Sequence, residues 1–443
     1  MKDHRERMNY SLHRLDIVHL NPMQQEMLAT YPRERSLVLL SPTGTGKTLA
    51  YLLPLLNRMD AETESVEALV LVPSRELAQQ TDGVARLLSS ELRSLACYGG
   101  RPAMDEHRLM KAQRPHLIVG TPGRILDHLT KENFSASTVK MLVIDEFDKC
   151  LELGFQQQMH DILKLLPNVE RRLLLSATDS PQIPSFVGSS FRKLNYLDTS
   201  EENSERVQLF QIHSPRKDKL ETLLQLLCAL GDETSLVFVN YRESVERVGD
   251  YLRRSGVACD TFHGGMEQRD RERALFRFSN GSANVMVSTD LASRGLDISG
   301  IQHIIHYHLP LGEEAFVHRN GRTARWDAQG RAYILLGPEE HLPDFITEPV
   351  ETFRLPQRLP APAKPRWVTL YIGKGKRDKI NKVDIVGFLS KVGGLEREQM
   401  GRIDVLPNWA FAAVDRCAVK DVLRRVQGQK IKGIKTIVTL ADV

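Results

Sequence analysis

SLVLLSPTGTGKT, Ser36 to Thr48, is an apolar run that passes straight into a glycine-rich turn. Ser36–Leu40 shows no polar alternation, which is how a strand covered on both faces of a parallel sheet reads. Gly44 and Gly46 permit backbone conformations denied to other residues. Their N–H groups can then turn inward on phosphate oxygens, at the positive end of the helix that follows. Lys47 would reach the β- and γ-phosphates, and the Thr48 hydroxyl would bind Mg2+. The strict pattern opens with Gly, whereas this loop opens with Ser41. A flexible glycine turn without a ligand is the competing reading, and the strand–loop–helix context argues against it.

A second apolar strand, Met141–Ile144, stops at Asp145-Glu146, and Phe147 separates that pair from a third acid, Asp148. Ligands of open α/β sheets sit at the carboxyl ends of such strands, and Mg2+ prefers oxygen donors. Taken alone, the pair is equally well a solvated turn. With a phosphate loop upstream it acquires roles. Asp145 would hold the metal, directly or through water, and Glu146 would orient and help deprotonate an attacking water.

At 443 residues the chain exceeds one core, and two to four domains are expected. It has no run of about 18 apolar residues, so no membrane span is expected. The N-terminal MKDHRERMNYSLHRL is charged and lacks an apolar signal core, which argues against secretion. Five scattered cysteines without a CxxC pair argue against a zinc site or a disulfide framework and favour a reducing cytosol. The net charge of +4 conceals an asymmetry, because residues 366–443 hold sixteen Lys and Arg against eight Asp and Glu. That basic end is a candidate nucleic-acid module, since phosphate neutralisation dominates such binding. A solvated basic surface is the plainer alternative.

Apolar strands alternate with helical stretches from Ser36 to Tyr196: SLVLL, ALVLV, HLIVG, MLVID and RLLLS. This is the alternation of a parallel α/β sheet. TSEENSER, Thr199–Arg206, reads as a linker. The alternation restarts with SLVFV, ACDTF, NVMVS, IQHIIHY and AYILL, separated by helices such as Glu243–Arg254 and Gln268–Phe278. Two α/β domains, 1–200 and 207–350, are therefore expected. LPQRLPAPAKP, Leu355–Pro365, suits an extended spacer within 351–365. Residues 366–443 read strand, helix, strand, strand, helix, strand, the βαββαβ order of RNA-recognition folds.

The second α/β domain lacks a phosphate loop but carries STDLASRGLD, Ser288–Asp297, and HRNGRTAR, His318–Arg325. Arg322 and Arg325 stand three apart and would share a helix face, from which two guanidiniums could clamp a transferring phosphoryl group. An isolated Arg pair is more often a solvated face. Beside a domain with a phosphate loop, the clamp is the better reading.

Over residues 16–345 the chain resembles the DEAD-box ATP-dependent RNA helicases. The marks occur in family order: MQQEML after Asn21-Pro22, SPTGTGKT, PSRELA, Gly99-Gly100, TPGR, DEFD, SAT, FVN, QRDR, TDLASRGLD and HRNGRTAR. From Trp367 onward it is similar to the RNA-binding domain of DbpA-type helicases, through VTLYIGKGKRDKI and QGQKIKG. The resemblance implies two tandem RecA-like parallel-sheet domains and a small α+β domain of the RNA-recognition type. It implies ATP and Mg2+ as cofactors, with Thr48, Asp145 and Glu146 around the metal. Gln24 would read the adenine edge, and Thr43, Gly44, Thr45, Gly46, Lys47 and Thr48 would hold the phosphates. Gly295 and Asp297 would touch the nucleotide from the second domain, where Arg322 and Arg325 reach the phosphates on closure. Asp148, Ser176, Thr178 and His318 would couple the ATP site to the RNA path. Arg75, Gly100, Thr121, Gly123 and Arg124 would hold the RNA backbone, helped by Gln268, Arg271, Thr289 and Asp290.

In the basic end, Lys374, Lys376, Arg377, Lys379, Lys430, Lys432 and Lys435 are the expected RNA contacts. Tyr371 falls where such a fold often stacks a base, while Phe411 suits the core as well as it suits stacking. The family implies an RNA-stimulated ATPase that unwinds short duplexes, because ATP touching both domains favours a closed state that hydrolysis releases. It further implies a large-subunit (23S) ribosomal RNA hairpin as target, and so a cytoplasmic monomer acting on pre-ribosomal particles in ribosome biogenesis. Two departures stand out. The aromatic that stacks on adenine has no clear match, and Phe147 replaces the family's Ala. The alternative is an ATP-binding RNA clamp with weak hydrolysis; the full set of charged groups favours the active enzyme.

Overall fold

The computed structural model describes residues 12, 17, 19–42, 44–100, 102–179, 183–188, 190–197, 207–290, 300–323 and 330–441. The chain divides into two compact units.

Among the described residues of the first unit, seven strands form one sheet: β1 (Ser36–Leu40), β2 (Ala68–Leu71), β3 (Ser94–Cys97), β4 (Leu117–Gly120), β5 (Met141–Ile144), β6 (Arg171–Ser176) and β7 (Arg192–Asn195). Their spatial order is β3-β4-β2-β5-β6-β1-β7, with parallel pairing throughout. Alternate residues of a strand point to opposite faces. Accordingly Val70 and Val143 join the apolar cluster on one face, and Leu69 and Leu142 join the cluster on the other. All four are at most 1 % exposed, so the unbroken apolar runs are explained by cover on both sides.

In the second unit the sheet order is β10-β11-β9-β12-β13-β8-β14. The strands are β8 (Val207–His213), β9 (Ser235–Val239), β10 (Cys259–Phe262), β11 (Val285–Thr289), β12 (His303–His306), β13 (Gly330–Leu336) and β14 (Val350–Thr352). All are parallel. Glu351 and Thr352 of the expected spacer belong to the edge strand β14.

The basic end is a four-stranded antiparallel sheet of β15 (Trp367–Ile372), β16 (Met400–Val405), β17 (Ala410–Asp415) and, after the short β18–β19 hairpin (Lys430–Ile431 with Ile434–Lys435), β20 (Val438–Leu440). Its order is β16-β17-β15-β20, and helices Lys382–Lys391 and Val419–Val426 complete the βαββαβ plan.

One face of this small sheet covers its own core, with Leu370, Ile372, Ala412 and Val414 packed among residues of the two helices. The other face lies on the helix Gln268–Ser279 of the same unit. Phe411 stacks on Phe276 at 5.2 Å between ring centroids. The Arg269 guanidinium stands 4.7 Å from the Tyr371 ring centre and 5.8 Å from that of Trp409. Arg277 donates to Ala441 O (2.7 Å), Asn280 Nδ2 to Thr369 Oγ1 (2.9 Å) and Arg402 to Ser279 Oγ (3.1 Å). Tyr371 is thus engaged by Arg269 rather than presented as a stacking platform, which corrects that expectation. Phe411 is buried between the sheet and the helix.

Candidate active site

Strand β1 delivers the phosphate loop, and Gly44 and Gly46 take left-handed φ of 84° and 86°. Lys47 begins the helix Lys47–Leu56, and its Nζ donates to Pro42 O (2.9 Å) and to Ser41 O. The Thr45 hydroxyl donates to Pro42 O (2.9 Å) and lies 2.7 Å from Ser41 Oγ. The serine that departs from the strict pattern therefore braces the loop. The loop is also tied to the preceding helix, Pro22–Thr30, whose capping box pairs Asn21 with Gln24. Asn21 Nδ2 donates to Thr45 O (2.9 Å) and Gln24 Nε2 to Gly46 O (3.3 Å). A Cβ on Gly46 would sit 2.5 Å from Gln24 Nε2 and push that amide aside, and the left-handed φ would strain any residue that carries one. Gln24, expected to read adenine, here holds the loop backbone. Thr43 lies outside the described residues.

Two strands away, β5 ends at Asp145 and Glu146, which are 3 % and 8 % exposed. Glu146 takes a left-handed backbone (φ 48°), uncommon for a residue with a Cβ, and its N–H donates to Asp145 Oδ1 (2.9 Å). Burial pushes the Asp145 carboxyl up to about 7, the Glu146 charge adds to the rise, and Lys47 opposes it. Two buried neighbouring carboxylates, with the Thr48 hydroxyl at the loop, fit a hard divalent cation, which would relieve the repulsion. Asp148 Oδ2 accepts from Thr178 Oγ1 (3.0 Å), and Ser176 Oγ donates to Thr178 O (2.6 Å). The structure thus gathers three of the four expected coupling residues. Phe147 turns away from them into the core beside Ile144, Cys150 and Met159.

The remaining expected residues of the first unit leave the carboxyl ends of adjacent strands. Arg75 follows β2, Gly100 follows β3, and Thr121, Gly123 and Arg124 follow β4. Strand spacing places the ends of β3 and β1 about 24 Å apart along one rim. Gly100 has φ 88°, and a Cβ there would lie 2.3 Å from Arg75 Nη1. Thr121 N–H donates to Cys97 O (3.1 Å), which joins the two loops. Gly123 would meet nothing within 4 Å if it gained a Cβ.

In the second unit, helix Glu313–Asn320 ends before Arg322. The expected shared helix face of Arg322 and Arg325 is therefore corrected for Arg322, because the chain turns at Gly321. Arg325, Gly295 and Asp297 lie outside the described residues. His318 is buried, 3.5 Å from Glu314. Gln268 Nε2 donates to Glu272 (3.3 Å), Arg271 covers the Phe262 ring at 4.7 Å, and Thr289 is buried. The residue that sequence reasoning missed is Arg319, 1 % exposed. Its guanidinium forks onto Asp290 (2.5 and 2.7 Å), donates to Asn240 Oδ1 and His308 O (2.7 Å each) and rests on the Phe238 ring (5.2 Å). It welds FVN, TD and HRNGR into one knot and engages the Asp290 carboxylate expected to meet RNA. Its only signal was its place between His318 and Arg322.

At the basic end, Lys376, Arg377, Lys379, Lys430, Lys432 and Lys435 are exposed, and Lys374 is half-buried against Asp378 (2.9 Å). Lys432 Nζ donates to Lys379 O (3.2 Å) and Asp384 (3.3 Å), which brings the two lysine loops side by side. No helix among the described residues is long and apolar enough to cross a membrane.

Residues 21–185 match the DEAD/DEAH box helicase family, 218–327 the helicase conserved C-terminal domain and 369–440 the DbpA RNA binding domain. The chain is 34 % identical over 435 residues to ATP-dependent RNA helicase DbpA of Escherichia coli, covering 96 % of this chain and 94 % of that one. It is 28 % identical over 451 residues to DbpA of Bacillus subtilis, covering 95 % and 94 %. Among solved structures, S. cerevisiae Dbp5 bound to RNA and ADP BeF3 superposes with a TM-score of 0.71 at 23 % identity, over 78 % of this chain and 93 % of that one. Mss116p bound to ssRNA and AMP-PNP gives 0.69 at 22 %, over 79 % and 77 %. Both show the tandem RecA-like fold. With the family motifs on two RecA-like sheets and the DbpA-type module behind them, the chain belongs to the DEAD-box ATP-dependent RNA helicases of the DbpA type.

Proposed function

We propose that this ATP-dependent RNA helicase acts on structured large-subunit ribosomal RNA, with ATP chemistry and RNA grip divided along one sheet rim. The observation that supports this is the order of strand ends in the first unit. The phosphate loop on β1, Ser176 on β6 and the acid pair on β5 stand on one side, and Arg75, Gly100 and Thr121–Arg124 on the other. Lys47 and the loop N–H groups bind and orient the phosphates. Glu146 positions a water in line with the γ-phosphate and takes its proton. Thr48, Asp145 and Glu146 would hold Mg2+, which supplies charge neutralisation at the phosphates. Asp148, Ser176 and Thr178 link the acid strand to β6, so a shift at one is felt at the other. Arg75, Gly100, Thr121, Gly123 and Arg124 grip sugar–phosphate backbone, which any sequence offers.

The joined lysine loops, 374–379 and 430–435, supply the affinity for structured RNA. The ribosomal identity of that RNA rests on the likeness to DbpA-type relatives. Action as a monomer on pre-ribosomal particles in the cytoplasm follows from the same reading, and the five free thiols suit a reducing compartment. The test is Glu146→Gln, which keeps the shape of the site and removes its base. It is expected to bind ATP normally, to lose turnover by two orders of magnitude or more and to retain RNA in the ATP-bound state. Turnover at the native rate would overturn the assignment.

A further inference from the structure

A buried polar chain lies behind the loops proposed to grip RNA. Its centre is Glu106, 3 % exposed, on the helix Ala103–Gln113. Glu106 Oε1 accepts the N–H of Tyr98 at 3.0 Å, immediately before Gly99-Gly100. Its Oε2 accepts from Arg124 Nη1 at 3.0 Å and from His128 Nε2 at 2.9 Å. Asn133 Nδ2 donates to His128 Nδ1 at 2.8 Å, which leaves the ring proton on Nε2 to face Glu106. Asn133 Oδ1 in turn meets His107 Nδ1. The polar chain therefore runs His107, Asn133, His128, Glu106, and forks to Arg124 and to the Gly99-Gly100 loop.

Cys97, Glu106 and His128 offer ligand atoms within 4.8 Å of one another, which raises the question of a metal. Both Glu106 oxygens already accept hydrogen bonds, and the carboxylate is neutralised by the Arg124 guanidinium. A second cation would have to displace that arginine. The arrangement is built to place Arg124.

We propose that Glu106 is a positioning residue for RNA binding. One carboxylate fixes both the Gly99-Gly100 loop, through Tyr98 N–H, and Arg124, so that two neighbouring strand ends present their donors to the same stretch of RNA backbone. The two oxygens act separately. Oε1 satisfies a buried backbone donor, and Oε2 sets the direction of a charged fork. Tyr98 carries the brace one strand further, since its hydroxyl accepts from Gln79, on the helix that begins at Arg75. Glu106 itself donates nothing to RNA, so its effect passes through Arg124 and the Gly99-Gly100 loop.

This inference rests on the RNA path proposed above, and the experiment separates the two. RNA-stimulated ATPase is measured on the full chain with a generic single-stranded RNA, for Glu106→Gln, Arg124→Ala and the double variant. Unfolding midpoints are recorded for each. Glu106→Gln preserves shape and, with its single oxygen kept on the Tyr98 N–H, puts an NH2 against Arg124 and His128. The half-saturating RNA concentration is expected to rise about tenfold, with the Km for ATP and the rate at saturating RNA little changed. The double variant should bind RNA no worse than Arg124→Ala alone, because Glu106→Gln keeps the acceptor for Tyr98 N–H and the arginine it would misplace is already gone. Asn133→Ala, which loosens His128 from further back, should give a smaller rise of the same kind and serves if Glu106→Gln does not fold. If Arg124→Ala leaves RNA half-saturation unchanged, the RNA path itself is wrong. If Arg124→Ala weakens RNA but Glu106→Gln does not, or the two losses multiply in the double variant, the positioning role is overturned.

Discussion

Phe147→Ala restores the residue usual in the family, yet the structure predicts a loss of stability. The Phe147 ring is 2 % exposed and packed in the core cluster that includes Ile144, Cys150 and Met159. Truncating a ring so enclosed removes its transfer free energy and leaves a cavity, a cost of about 3–5 kcal/mol. In a domain of this size each kcal/mol lowers the midpoint by roughly 2–4 °C, so the first unit should melt roughly 10 °C lower. Phe147→Leu fills most of the space and should cost about 1.5 kcal/mol or less. The assay is thermal unfolding of both variants, with RNA-stimulated ATPase read well below the midpoints. The Ala variant should still hydrolyse ATP there, because the charged side chains around Glu146 are unaltered. A midpoint within about 2 °C of the parent would refute the packing argument. A large gain of turnover would show that the ring restrains the acid pair beside it.

Arg319→Ala should destabilise the second unit by at least about 3 kcal/mol, because it strands the Asp290 carboxylate; Arg319→Lys should rescue little, since it cannot fork. Urea unfolding of each variant checks this. Burial, reinforced by Arg319, pushes the His306 imidazole down to about 3, so the unfolded chain takes a proton near 6.5 that the folded chain refuses. That stability is complete above pH 6.5 and is lost as pH falls towards 3, with about 2 kcal/mol gone at pH 5. His306→Gln should flatten the fall between pH 6.5 and 5 in the same unfolding experiment. Charge reversal at Lys374, Lys376 and Lys379 should weaken binding to a structured RNA. It should also lower the slope of log affinity against log salt by roughly 0.7–0.9 for each phosphate no longer neutralised; an unchanged slope would place the RNA elsewhere.

The unbroken apolar runs and the glycine loop were legible because both signals are local: two-sided burial fixes the run, and a phosphate cradle fixes the glycines. Strands with weaker signals escaped. Edge strand β7, RKLN, buries only Leu194, and β14 is three residues long, so neither carries an apolar run. In β8, VQLFQIH, the half-exposed residues break the pattern. Arg319 and Glu106 were invisible for a different reason. A charged side chain reads as surface until its partners are known, and these partners lie on other strands and helices. The docked face of the small sheet was hidden likewise, because Tyr371 and Phe411 carry the same letters whether they meet a base or Phe276.

The helix Gln268–Ser279 carries Gln268 and Arg271 in its first turn, together with Arg269, Phe276 and Ser279, the residues on which the small sheet rests. The proline-rich segment is therefore a span between two seated parts and does not set a search radius. A transcript caught by the lysine loops would arrive with a fixed heading. Its orientation towards the QRDR helix would be dictated by side-chain packing.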